Sequence, residues 1–184
     1  MVLSSERLKY QLMTPDDADL LFQLDQDKEV MRYINGGKVS SMQDIHKVFI
    51  PRMLSYTNVE RGWGLWKVEV KQTCRFIGWV LVRPMAFFSE TPELGNLEIG
   101  WRFKRDSWGS GYATEAALSV KQALLNHSQN NSEFKVNQLS AIAFEENKAS
   151  INIMKKLGMI YLKTDLHKDP LGDNELVYYQ MDLN

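Results

Sequence analysis

The sequence predicts one α+β domain: a mostly antiparallel mixed sheet with helices on its faces and a strand-helix-strand unit at its centre. Three observations carry this. Two strand-like runs, WGLWKVEV (63 to 70) and RFIGWVLV (75 to 82), are separated only by KQTC, a connection short enough for an antiparallel hairpin. The glycine-rich stretch WGSGYATEA (108 to 116) then opens a helix in which Ala113, Ala116, Ala117, Val120 and Leu124 fall at i, i+3, i+4, i+7 and i+11, the stripe of a helix packed on a sheet. Finally, the chain ends on a buried-type strand, a short helix and two further strands. A length of 184 residues with 44% hydrophobic content suits one core better than two, so residues 1–184 are read as a single domain.

Each element has a local reason. RLKYQLM (7 to 13) alternates as a strand, and Thr14, Pro15, Asp16 and Asp17 then supply an N-cap, a first-turn proline and first-turn acids, predicting a helix to about Leu24. After the NGG break at 35 to 37, Ser41 caps a second helix with Ile45, Val48, Phe49 and Met53 at helical spacing and a kink expected at Pro51. The hairpin follows, and the irregular RPMAFFSETPELGN leads into LEIGWRF (97 to 103). There Leu97, Ile99, Trp101 and Phe103 share one face, while Glu98, Gly100 and Arg102 share the other. Beyond the glycine-opened helix, the polar NHSQNNSEFKVN (126 to 137) reads as a surface loop and LSAIAF (139 to 144) as a buried strand. NKASINIMKKLG is a short helix with Gly158 as its C-cap, and MIYLKT and ELVYYQMDL supply the last strands.

Composition narrows the function classes. The net charge is −1, from 22 basic and 23 acidic residues, and no Lys/Arg run could neutralise a row of phosphates, so nucleic acid is not the expected partner. Cys74 is the single cysteine, which excludes an internal disulfide framework and suits a reducing compartment. No apolar stretch approaches the ~18 residues that span a bilayer, and no signal-type segment opens the chain, so a cytoplasmic protein without a membrane partner is expected. His46, His127 and His167 are scattered, without metal-ligand spacing, and no metal is expected.

The glycines of WGSGYATEA bear on chemistry. A Walker loop is excluded because its lysine is absent, and a dinucleotide fingerprint fails at its third glycine, where Thr114 stands. What remains is general: the main-chain N–H groups of Gly109 to Ala113, at the positive end of a helix, form a cradle suited to a diphosphate. A simple chain turn is the competing reading. Gly100, inside an otherwise good strand, predicts a bulge that splays this strand from the next. Asn147 and Ser150 sit where the following strand enters its helix, so their polar groups are directed at the same region.

The order of these motifs resembles the GNAT acetyltransferase superfamily, and within it the group containing the ribosomal-protein N-terminal acetyltransferases. ERLKYQLMTPDDADLLFQL, LEIGWRFKRDSWGSGYATEA and FEENKASINIMKKLGM carry the resemblance over nearly the whole length. It implies a sheet splayed between its fourth and fifth strands, acetyl-CoA lying in the opening, and acetyl transfer to an amine, either a protein N-terminus or a small molecule. The backbone of Trp101, Arg102 and Phe103 would pair with the pantetheine arm; Gly109, Ser110, Gly111, Tyr112, Ala113 and Thr114 would hold the pyrophosphate. Asn147 would bond the cofactor near its thioester, or simply cap its helix. Ser150 would donate to the departing sulfur, in place of the tyrosine that some relatives carry where this chain has Met154. The family also leaves a homodimer open.

The chemistry asks for little more. An amine attacks a thioester only when neutral, and a lysine-type amine of pKa ~10.4 needs a base more than an α-amine at ~7.7 to 8.0. Glu98 is the carboxylate best disposed for that; facing solvent or pairing with Arg102 is its alternative reading. An N–H exposed at the Gly100 bulge would meet the oxyanion. Trp108 replaces the Arg or Gln that begins the pyrophosphate loop in many relatives, with Lys104 or Arg105 as substitutes, and the aromatic pair in AFFSE is a candidate pocket wall. The competing function is an acyl-CoA-binding sensor or protein-interaction module that has lost turnover.

Overall fold

The computed structural model describes residues 1, 3, 5–130 and 135–183. Seven strands, β1 (Leu8–Leu12), β2 (Gly64–Val70), β3 (Arg75–Met85), β4 (Glu93–Phe103), β5 (Gln138–Ala143), β6 (Ile160–His167) and β7 (Asn174–Asp182), form one sheet in the order β1-β2-β3-β4-β5-β7-β6. All neighbours are antiparallel except β4 and β5, which run parallel for only three residue pairs, Asn96↔Gln138 to Glu98↔Ser140. β4 continues to Phe103 while β5 diverges, so the sheet is splayed between its fourth and fifth strands as expected.

Each face of the sheet has its own core. Leu97, Ile99 and Phe103 of β4 pack with Ala116, Ala117, Val120 and Leu124 of α5 (Tyr112–Gln129) and with Ile151 and Met154 of α6 (Lys148–Lys156). On the other face, Trp79 and Leu81 of β3 meet Leu21 and Leu24 of α1 (Ala18–Leu24), Val30 of α2 (Lys28–Asn35), and Ile50, Met53 and Tyr56 of α4 (Ile50–Tyr56). Residues of one strand therefore alternate between two apolar environments, which explains why β3 is buried almost throughout and reads as a nearly continuous apolar run.

Four expectations change. α2 is a helix that the sequence reading passed over. Asp27 caps it by accepting from the Glu29 N–H, and Gly36 ends it at φ 75°. With only Val30 and Met31 buried, its apolar stripe is too short to stand out. The second predicted helix is interrupted: α3 (Met42–Asp44) leads through a π-helical turn, Ile45–Phe49, into α4, with the Ile50 N–H reaching back to the Ile45 carbonyl. Pro51 accounts for it, because its ring would crowd the Lys47 carbonyl in a regular helix and a widened turn relieves that contact.

The bulge is not at Gly100. The β3–β4 register runs unbroken past Leu81↔Gly100 and shifts instead between Pro84 and Met85. The close approach belongs to Gly78, where a Cβ would lie 2.3 Å from the Arg102 carbonyl oxygen. Lastly, the expected surface loop at 126–137 begins later, since α5 runs through Gln129; residues 131–134 of that stretch lie outside the described residues.

Candidate active site

The open side of β4 is defined by two hydrogen bonds at its ends. The Lys104 N–H donates to the Ile77 carbonyl at 2.8 Å, toward β3, and the Gly95 carbonyl accepts from the Asn137 N–H at 2.8 Å, toward β5. Main-chain groups alternate along a strand, so even-numbered residues are turned to β3 and odd-numbered ones to β5. Past the last β5 pair, Trp101 and Phe103 therefore present their backbone to the opening. The Gly100 amide faces β3, so the oxyanion donor expected there passes to Trp101. The Phe103 carbonyl accepts the Trp108 indole N–H at 2.9 Å, which makes half-exposed Trp108 a brace on the strand end.

From β4 the chain makes a short 3-10 turn, Arg105–Ser107, and enters the glycine loop. Gly109 and Gly111 sit at φ 74° and 78°, the left-handed region that glycine adopts without penalty. The first bond of α5 is from the Glu115 N–H to the Gly111 carbonyl, at 3.0 Å. Among the described residues no acceptor serves the amides of Gly109, Ser110, Gly111, Tyr112, Ala113 or Thr114, and Gly111 as N-cap supplies no side chain. Six N–H groups at a helix N-terminus thus remain available to an anion.

Arg7, which the sequence reading did not single out, anchors this loop from β1's approach. Its Nη1 donates to the Ser110 carbonyl at 3.0 Å, its Nε to Glu115 Oε2 at 2.6 Å, and its guanidinium lies 4.5 Å from the Tyr112 ring centre. Partial burial works to raise the Glu115 carboxyl, but hydrogen bonds from the Arg7 backbone and side chain override it and hold it below its ordinary value. The two expected substitutes for a loop cation are engaged elsewhere: Lys104 reaches Gln23 at 3.4 Å and Arg105 pairs with Asp27 at 3.0 Å.

Two cavities, of about 370 and 330 Å³, meet at the splay. The first runs from the glycine loop past Trp108 and Tyr112; the second lies over the α1–α4 face and contains Glu98. Both are lined by Tyr33, Trp101, Arg102, Asn147 and Ser150, so Ser150 and Asn147 stand at the junction. Asn147 caps α6, its Oδ1 accepting from the Ser150 N–H at 3.2 Å. The Ser150 hydroxyl has no partner among the described residues. Met154 is buried in the core beneath α6, away from this junction.

Glu98 faces neither solvent nor Arg102. It is 5% exposed, and its Oε2 accepts from Arg83 Nε at 2.8 Å. Arg102 pairs with Asp25, which also accepts from the Ser40 hydroxyl at 2.7 Å. A third pair, Arg52 with Asp169, ties α4 to the β6–β7 connection across the second cavity. Burial works against the charge on Arg83, but Glu98 more than offsets it, so the guanidinium is held above its ordinary value. Burial pushes the Tyr56 phenol up to about 12, keeping it a neutral hydroxyl on the same wall. Phe87 and Phe88 back this wall: their rings stand 5.9 and 6.4 Å from that of Tyr56, and Phe88 lies under the Arg52 and Arg83 guanidiniums at 3.8 and 5.2 Å.

Arg83, Tyr33, Tyr56, Asp25, Arg52 with Asp169, and His167 are the cavity residues that sequence reasoning missed. None left a usable signal: β3 and β4 are joined by an irregular segment with a register shift at Pro84/Met85, so the partner of Arg83 does not follow from the sequence. His167, which the sequence analysis gave no role, lines the second cavity with its Nδ1 3.1 Å from the Tyr178 hydroxyl.

The chain is similar to known proteins in sequence and in fold. Residues 7–160 match the family profile described as acetyltransferase (GNAT) domain. The chain is 33% identical over 165 residues to the uncharacterized protein YkkB of Bacillus subtilis (strain 168), covering 88% of this chain and 87% of that one. Its fold is similar to that of a GNAT-family acetyltransferase from Bacillus anthracis, with a TM-score of 0.73 at 22% identity over 100% of this chain and 99% of the other. It is also similar to the aminoglycoside acetyltransferase AAC(6')-Ib, solved with coenzyme A, with a TM-score of 0.70 at 15% identity over 95% and 94%. No helix among the described residues is long and apolar enough to cross a membrane.

Proposed function

This chain belongs to the GNAT acetyltransferase family, and from that premise we propose how its residues divide the transfer of an acetyl group from acetyl-CoA to a primary amine. Acetyl-CoA supplies an acyl thioester, whose carbonyl carbon is the electrophile. The amides of Gly109 to Thr114 hold the diphosphate at the positive end of α5, and the Trp101 carbonyl and Phe103 N–H extend β4 against the pantetheine arm, leaving the Trp101 N–H for the thioester oxygen. Trp108 already takes the Phe103 carbonyl, and that occupancy sets where the added strand ends.

The amine enters by the second cavity. Its nitrogen attacks the thioester carbon, and Glu98, through the oxygen not bonded to Arg83, takes the proton directly or through water. The Trp101 N–H meets the developing oxyanion. As the tetrahedral centre collapses, the C–S bond breaks and the thiolate departs against a hydrogen bond donated by the Ser150 hydroxyl, then takes its proton from solvent, to which Glu98 returns the proton of the amine. Asn147 keeps Ser150 in place by capping α6. No covalent acyl-enzyme is needed, because amine and thioester meet in one ternary complex.

The observation that carries this reading is the row of six unpaired amides opening onto the same junction as a buried carboxylate. The experiment is thiol release from acetyl-CoA in the presence of peptide N-termini, amino acids, polyamines and aminoglycosides. Release that depends on an added amine supports transfer. Tight acetyl-CoA binding with no release for any amine returns the protein to the sensor reading.

A further inference from the structure

We propose that the amine acceptor carries an anionic carboxylate or isosteric oxyanion on the same carbon as its amine, as a free α-amino acid does, and that Arg83 binds that anion while Glu98 receives the amine. The inference rests on the acyl-transfer reading above and names the substrate class of that site.

Two independent observations point this way. The first is the charge balance of the second cavity. Its walls hold three carboxylates, Asp25, Glu98 and Asp169, and each is matched by an arginine, Arg102, Arg83 and Arg52. A pocket for a polycation needs unbalanced negative charge; here the one-to-one pairing leaves the ion-paired walls neutral, so a multiply charged amine gains little from them.

The second is the unused capacity of Arg83. A guanidinium has five N–H donors in a fixed fork, and Arg83 spends one, at Nε, on Glu98. Its two terminal nitrogens have no acceptor among the described residues, yet neither is sealed from the cavity that Arg83 lines. The residue is only 7% exposed, and it is flanked by the Tyr56 and Phe88 rings at 5.5 and 5.2 Å without a hydrogen bond to the Tyr56 hydroxyl. A buried fork with a free edge is the geometry that takes a carboxylate in two parallel hydrogen bonds. Glu98 shows the complementary state, with Oε2 bonded to Arg83 and Oε1 without a donor among the described residues. Anion donor and ammonium acceptor therefore stand side by side, directly across from one another on β3 and β4, matching an amine and an anion borne on one carbon.

The test uses the full chain at saturating acetyl-CoA and measures thiol release for free α-amino acids, their carboxamides, short peptides, polyamines and an aminoglycoside. The acids are expected to exceed their own carboxamides by about 100-fold in kcat/KM, the scale of losing a charged partner at a buried guanidinium. R83M should abolish that discrimination, R83K should retain part of it, and both should keep acetyl-CoA affinity, read by calorimetry, within about twofold. An amino phosphonate turned over like the acid supports a general oxyanion site. Equal rates for acid and carboxamide, or preference for peptides or polycations, overturn the inference and leave acyl transfer standing. If no amine releases thiol, calorimetry of the acid against its carboxamide on the wild-type protein decides: selective, Arg83-dependent binding supports the anion site and equal binding sinks it. Should R83M fail to fold, the wild-type acid-to-carboxamide ratio alone decides the matter.

Discussion

Arg83 of β3 stands directly across the sheet from Glu98 of β4, and its Nε donates to Glu98 Oε2 at 2.8 Å with both side chains almost wholly buried. Removing either partner strands the other charge in an apolar surround, whereas removing both does not. R83M is expected to cost about 3 kcal/mol, and R83M/E98Q less than the sum of the single changes. Chemical denaturation of the four proteins of the cycle measures this; strict additivity would show that the pair is not coupled.

Glu98→Gln tests the base: the amide oxygen can still accept from Arg83 Nε, but the side chain cannot take up a proton. If Glu98 accepts the amine proton, E98Q should lower kcat at neutral pH by roughly 100-fold, within the range of general-base catalysis, and the deficit should shrink as pH rises and the free amine becomes plentiful. A pH-rate profile unchanged in shape and height removes Glu98 from the proton transfer.

The two kinds of glycine should behave oppositely. At Gly109, φ is 74° and an added Cβ meets nothing within 4 Å, so Gly109→Ala is expected to cost only about 1 kcal/mol of stability while weakening acetyl-CoA binding through the displaced amide row. At Gly78 a Cβ would fall 2.3 Å from the Arg102 carbonyl oxygen, so Gly78→Ala should destabilise by more than about 3 kcal/mol with the cradle itself unaltered. Thermal unfolding paired with calorimetric titration distinguishes the two.

Arg7 and Glu115 link the glycine loop to acidity. Glu115 is held below its ordinary value in the folded protein, so its contribution is fully present above the unfolded carboxyl value of ~4.3 and is lost as pH falls through the folded one. E115Q should therefore lower Tm at pH 7 modestly, on the scale of about 1 kcal/mol or less for a pair this open to solvent, and the gap to wild type should close in acid. A gap that persists at pH 3 would mean that the contact acts through packing alone.

Ser150→Ala should lower kcat by about tenfold with little change in KM, since the helix cap is made by the Ser150 backbone N–H and survives the substitution. The loss should diminish with an acyl thioester whose thiol is more acidic, because a better leaving group needs less help. Asn147→Ala should instead cost about 1 kcal/mol of stability by uncapping α6.

The sequence by itself determined what depends on a window of a few residues. The Thr14 and Ser41 caps, the alternation of β4, the apolar stripe of α5 and the paired glycines before it are all local, because backbone dihedral preference and side-chain period act within one turn or one pleat. The paired glycines were enough to expect the amide cradle, whereas the splay was expected from the resemblance and from a bulge at Gly100 that the register does not contain. Tertiary structure alone decided which charges meet. Arg7 reaches Glu115 across 108 residues, Asp25 takes Arg102 across 77, and Glu98 turns from the Arg102 of its own strand to the Arg83 of its neighbour. Such pairings follow from strand register and helix placement, which are settled by burying two opposed cores at once, and no short stretch of sequence carries that information.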